Sequence, residues 1–153
     1  MRRPYRVLFV SWGDSARGLI AQALLEKWNG ERFRSWCASL HGQPGHPLIL
    51  GLLESHRLWK DHESEPLERF VGESAPVMDF VISVGDKLPA VWWKKFPGSP
   101  IEAQWRITDP LVSKIDPMER KARLRRAFVE LENRTKLFAL VWGRSFEEPD
   151  LAA

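Results

Sequence analysis

The chain has almost no cysteine: Cys37 is the sole thiol among 153 residues. One thiol excludes an internal disulfide framework and suits a reducing compartment, so a cytoplasmic location is expected. Excess charge is equally scarce. Lys and Arg total 23 against 20 Asp and Glu, a net charge of +3, too little to argue for a nucleic-acid partner. No apolar run approaches the roughly 18 residues of a membrane span, so no membrane partner is expected either. The N-terminus, Met1-Arg2-Arg3-Pro4-Tyr5, passes straight into a strand-like run, and no signal peptide is expected. Internal repeats, low-complexity tracts and linkers are missing. No metal or other cofactor is expected.

What is present suits one domain with a real hydrophobic core. The apolar share of 44% and charged share of 28% are ordinary for a globular chain. Eight tryptophans are an unusual load, read as core or groove residues because of their large apolar area. The domain is expected over 1–143, with a flexible tail over 144–153.

The pattern along the chain predicts alternating strands and helices. Tyr5–Val10 is a near-continuous apolar run of the kind buried on both faces of a sheet. A helix is predicted from Ala16 to Trp28, with Leu19, Ile20, Ala23, Leu24 and Trp28 at helical spacing and Asn29-Gly30 ending it. Further strands are predicted at Phe33–Ala38, Asp79–Val84 and Ile101–Ile107, and short helices over Leu48–Leu53, Glu65–Val71 and Pro89–Trp93. Thr108-Asp109-Pro110 should break the last strand, because the residue before proline leaves the helical region. A long helix is predicted over Pro117–Trp142, with Leu124, Phe128, Leu131, Phe138 and Trp142 as its apolar stripe. This order implies a four-stranded parallel sheet between helices, a three-layer α/β/α fold of flavodoxin-like type. Ligands in such sheets sit at the carboxyl ends of strands, where Ser11–Arg17, Gly85-Asp86 and Thr108-Asp109-Pro110 all fall.

The segment Ser11-Trp12-Gly13-Asp14-Ser15-Ala16-Arg17 reads as strand, tight turn and helix start. Such a junction aims backbone N–H groups and the positive end of a helix dipole at one point, where an oxyanion fits. Arg17 adds a planar fork matched to a tetrahedral anion. Trp12, Gly13, Asp14, Ser15, Ala16 and Arg17 are therefore the candidate anion-binding residues. Arg17 has a second reading, as a structural arginine tied to Asp14.

These residues resemble the phosphate loop of the low-molecular-weight protein tyrosine phosphatases and their sister branch, the thioredoxin-coupled arsenate reductases. That loop is a cysteine, five residues and an arginine followed by serine or threonine; here Ser11, Trp12 to Ala16, Arg17 and Gly18 stand in those places. The family's Asp-Pro general acid is matched by Asp109-Pro110. Gln104-Trp105 is similar to a His-Trp pair of the reductase branch. Cys37-Ala38-Ser39 stands where the family has Ser-Ala-Gly, and Val81–Asp86 resembles its third strand. The resemblance spans roughly residues 5–140 and implies Ser11, Arg17 and Asp109 as the catalytic positions.

The departures fall at the reactive positions. Ser11 replaces the nucleophilic cysteine, and a serine hydroxyl is weak unless a base takes its proton. His41, His46, His56 and His62 all fall in connecting segments. Asp14 replaces an asparagine; a carboxylate about 4 Å from bound phosphate opposes it by about 1–4 kcal/mol. Gly18 removes a supporting hydroxyl. The two redox cysteines of the reductase branch are missing: Gly85 takes the first place and the Pro89–Trp93 region holds none, so a disulfide relay lacks its thiols. Cys37 reads as an inert small core residue. Asp109 reads as a turn or cap, Asp86 as a turn residue. The basic run Arg120, Lys121, Arg123, Arg125 and Arg126 reads as a solvated helix face. Trp12, Trp92, Trp93 and Trp105 either rim the site's mouth or simply pack there.

The expected function is that of a catalytically degenerate relative, binding a phosphate-like oxyanion or an unknown protein partner. The alternative is an active phosphotyrosine phosphatase or arsenate reductase of this family, with Ser11 as an unusual nucleophile or as an introduced cysteine-to-serine trap. The sequence carries no signal for an oligomeric state.

Overall fold

Successive side chains of a strand point to opposite faces, and the first strand, β1 (Tyr5–Ser11), is apolar on both. Val7 and Phe9 enter one core while Leu8 and Val10 enter the other, all fully buried. Such a strand belongs in the middle of a parallel sheet. The computed structural model describes residues 3–13, 16–58, 63–112 and 114–147 and places β1 there. The chain continues through α1 (Ala16–Asn29), β2 (Phe33–Ser39), β3 (Gln43–Pro44), α2 (Pro47–Ser55), β4 (Glu63–Pro66) and a 3₁₀ turn (Leu67–Phe70). It ends with β5 (Phe80–Val84), α3 (Ala90–Trp93), β6 (Ile101–Trp105) and α4 (Pro117–Glu147).

The sheet order is β3-β4-β2-β1-β5-β6, and every pairing is parallel except that of β3 with β4. The four expected strands are the continuous block β2-β1-β5-β6, so the expected α/β class holds. The sheet extends two strands further than the four expected. The cause lies at Pro66, which has no N–H and pushes Glu65 into extended backbone. The helix expected over Glu65–Val71 is therefore β4 followed by a single 3₁₀ turn.

One face of the sheet is covered by α1, α2 and α4, with Leu19, Ile20, Leu24, Ile49, Leu53, Phe128 and Leu131 filling the core. The other face is covered by short pieces: Leu67 and Phe70 of the 3₁₀ turn, then Met78, Leu88 and Phe96, with Trp36, Trp92 and Trp93 packed against them. The three layers are thus unequal in depth. Helix α4 runs to Glu147, five residues past Trp142, so residues 144–147 of the expected tail are helical; residues 148–153 lie outside the described residues. No helix among the described residues is long and apolar enough to cross a membrane.

β6 stops at Trp105, two residues short of expectation. The Trp105 carbonyl still accepts the Gly85 N–H at 2.8 Å. Beyond it the backbone is held by side chains: the Ile107 carbonyl accepts from Arg17, and Thr108 donates through its N–H and hydroxyl to the Glu130 carboxylate at 3.0 and 2.8 Å. With their polar groups satisfied in this way, these residues have no need of a strand partner.

Candidate functional site

Ser11 is the last residue of β1 and points, like Phe9, towards α1. It is 2% exposed, and its Oγ accepts the Gly18 N–H at 3.1 Å. This bond joins the end of the strand to the first turn of α1 and closes the loop at its base. A Cβ at position 18 would stand 2.8 Å from that Oγ and 2.7 Å from the Cys37 Sγ. Glycine is required there because the hydroxyl and the thiol both crowd the same gap. Cys37 itself is buried in the core, as its composition-based reading has it.

The Ser11 hydroxyl has no base among its described hydrogen-bond partners. His46 accepts the Leu48 N–H through Nδ1 at the start of α2. His56 stacks on Phe128 with ring centroids 4.0 Å apart. His41 lines a cleft along β3 and β4 at that edge of the sheet, and His62 lies outside the described residues.

Arg17 follows in the first turn of α1 and is 6% exposed. Its Nη1 donates to the Ile107 carbonyl at 3.0 Å, and its Nη2 lies 3.6 Å from the Asp86 carboxylate. Its Nε is buried with no hydrogen-bond partner among the described residues. A buried donor left unpaired is costly, about 1–3 kcal/mol, and more on a charged group. Gly85 makes the room. Its φ is +95°, which glycine alone adopts freely, and a Cβ there would fall 2.5 Å from Arg17 Nε and 2.6 Å from Nη1. The guanidinium lies flat against the backbone where any larger residue would stand.

Asp86 sits in the turn after β5, as expected, and its carboxylate also stands beside Arg17. Its Oδ2 also lies 3.6 Å from where a Cβ on Gly13 would sit, so it stands beside the start of the loop. The Ser83 hydroxyl donates to the Asp86 carbonyl at 2.7 Å and fixes the turn. Asp14 and Ser15, two of the six candidate loop residues and the former the expected partner of Arg17, lie outside the described residues. The Asp86 contact could not be read from local spacing, because it joins positions that only the parallel pairing of β1 and β5 brings together.

Asp109 accepts the Leu111 N–H at 2.9 Å and shapes its own turn; Pro110 behind it is buried. Of the four aromatic rim candidates, Trp105 is core, 7% exposed, with its ring 5.7 Å from Phe9 and 6.1 Å from Phe138. It enters the α4 side because it stands at the end of β6 beside Val84, on the inward phase of the pleat. Trp12 and Trp92 pair edge to face at 5.8 Å, the Lys95 ammonium lies 4.7 Å over Trp92, and Trp93 packs on Phe96. Ala16 is buried and Gly13 exposed. The described basic side chains of α4 comprise solvent-facing Lys121, Arg125 and Arg126 and half-buried Arg120 and Arg123, the last paired with Glu119 at 3.3 Å.

No protein-family model and no curated protein matches the sequence. Solved structures do match the fold. An arsenate reductase in its phosphate-binding state aligns with TM-score 0.64 at 20% identity, covering 88% of this chain and 95% of that one. An arsenate reductase from Archaeoglobus fulgidus aligns with TM-score 0.64 at 20% identity over 86% of this chain and 97% of that one. A low-molecular-weight protein tyrosine phosphatase from Bacillus subtilis aligns with TM-score 0.67 at 15% identity over 93% and 99%. The chain carries the fold shared by arsenate reductases and low-molecular-weight protein tyrosine phosphatases.

Proposed function

We propose that this chain is a non-catalytic relative of those enzymes and holds a tetrahedral oxyanion in the loop between β1 and α1. The observation that carries the reading is the buried Arg17 Nε, in the first turn of α1, which has no hydrogen-bond partner among the described residues. A helix start favours an anion there, and an oxyanion supplies the acceptor that Nε lacks. Asp86 does not fill this role. It faces Nη2 at 3.6 Å with a side chain 63% exposed, and exposed ion pairs are worth only about 0–1 kcal/mol.

Binding without turnover follows from Ser11. A phosphoryl acceptor at this place must be deprotonated as it attacks, and here the oxygen already accepts the Gly18 N–H, with no base among its hydrogen-bond partners in the described residues. Reduction through a thiol relay is not open to a chain with one cysteine. Asp109, turned onto Leu111, serves as a loop former rather than as an acid.

Two measurements test the proposal. Purified protein should hydrolyse p-nitrophenyl phosphate no faster than Arg17→Ala, and arginine-dependent turnover would sink the reading. Millimolar inorganic phosphate should raise the melting temperature of the wild type and not of Arg17→Ala. At ten times Kd the expected stabilisation is about 1.4 kcal/mol, or about 3–6 °C for a chain of this size.

A further inference from the structure

The sheet ends at β6, which pairs with β5 and has no second strand beside it among the described residues. Backbone groups alternate in direction along a strand, so every second residue of an edge strand turns its N–H and C=O outward. The odd positions of β6 serve the interior. The Ile101 N–H donates to the Asp79 carbonyl and the Trp105 carbonyl accepts the Gly85 N–H, both at 2.8 Å. The backbone groups of Glu102, Gln104 and Arg106 therefore face the open edge, and all three residues are exposed. Such an edge is a template for another strand. Chemistry limits it at both ends. Pro100 has no N–H to offer, and the Thr108 N–H is held by the Glu130 carboxylate. The outward residues that remain are centred on Gln104.

This set complements itself. When a second copy pairs antiparallel about Gln104, that residue faces its own copy and Glu102 faces Arg106, at two places by the two-fold symmetry. Opposite charges across a strand pair attract and like charges repel. A parallel pairing in register would set Glu102 on Glu102 and Arg106 on Arg106. An antiparallel register centred earlier draws in Pro100, and one centred later draws in Thr108. Apolar surface borders the same edge. Ile101, on the strand phase of Ala103 and Trp105, is 48% exposed, and Leu137 and Val141 of α4 are 61% and 51% exposed. Leu137 shares a groove with Arg106, Ile107 and Thr108, and Val141 stands one turn further on the same flank of the helix. We propose that the β6 edge docks a second copy of this chain, joining two sheets into one about Gln104, with Glu102 and Arg106 as reciprocal ion pairs.

Sedimentation velocity of the purified chain, from micromolar to submillimolar concentration, tests this. The wild type should pass from monomer to dimer across that range. A monomer throughout would overturn the proposal and leave the edge to a strand from some other protein. Glu102→Arg and Arg106→Glu should each weaken the dimer about tenfold, since either sets like charges face to face at two places. An equimolar mixture of the two variants should dimerise again, because every facing charge pair is then of opposite sign. Both substitutions fall at exposed positions, so circular dichroism and melting temperature should match the wild type. Gln104→Pro removes the central N–H from an edge strand, where proline is tolerated, and should weaken the dimer as well. A dimer that neither charge variant weakens, or that the mixture does not restore, would place the contact elsewhere on the surface and overturn the proposal.

Discussion

Replacing Gly85 by alanine tests the placement of Arg17 directly. Two separate penalties are expected. A side chain at φ +95° is strained by about 1–2 kcal/mol. The new Cβ also falls 2.5 Å from Arg17 Nε, so the guanidinium must leave and lose its bond to the Ile107 carbonyl, worth about 1.5–3 kcal/mol for a charged donor. The sum is about 3–5 kcal/mol, or a fall in melting temperature of about 6–20 °C for a chain of this size. The structure supplies its own control. Gly72 has a similar φ of +91°, and a Cβ there meets nothing within 4 Å, so Gly72→Ala should carry the strain alone, about 1–2 kcal/mol. Urea unfolding followed by tryptophan fluorescence measures both. A double-mutant cycle isolates the contact: in an Arg17→Ala background the effect of Gly85→Ala should shrink to that of Gly72→Ala. Equal effects of the two glycine substitutions in the wild type, or an undiminished effect without Arg17, would refute this geometry.

Other consequences are as direct. Ser11→Ala should destabilise by about 1–3 kcal/mol in urea unfolding, because it leaves the buried Gly18 N–H without its acceptor. Gly18→Ala should destabilise more in the wild type than in Cys37→Gly, since the thiol is one of the two groups a Cβ there would strike; equal effects in both backgrounds would remove Cys37 from the crowding. Glu130→Ala should lower stability by about 1–3 kcal/mol through the loss of both Thr108 bonds, whereas Glu132→Ala, on the same helix, should change little. Cys37, 2% exposed, should react with a thiol reagent only as fast as the chain opens, and immediate labelling of the native protein would contradict its burial.

The central strands and the two long helices were legible because their apolar residues keep one period over many positions. β1 is apolar on both phases of the pleat, and α4 repeats Leu124, Phe128, Leu131 and Phe138 at helical spacing. Short elements were not. Glu65–Val71 has helix-forming residues, yet one proline decides it, and a two-residue strand such as β3 carries no period at all. At the site, Ser11 and Arg17 were readable from a motif that is local in sequence. Asp86, Ile107 and Gly85 complete the surroundings of Arg17 from other strands, and spacing along the chain does not encode which loops meet at a sheet's edge. Trp105 stayed open between rim and packing for a related reason: its side depends on the strand phase of β6, and the phase is set by pairing with β5.

The single bond from Arg17 to the Ile107 carbonyl has a mechanical meaning. It ties the loop after β1 to the segment leaving β6, and Glu130 ties the next residue, Thr108, to the far helix. Any ligand that draws the guanidinium forward will therefore tug on the Asp109-Pro110 turn and on α4 behind it. The far end of that tie is a helix of thirty-one residues, so the start of α1 and the body of α4 are braced against each other through the end of the sheet.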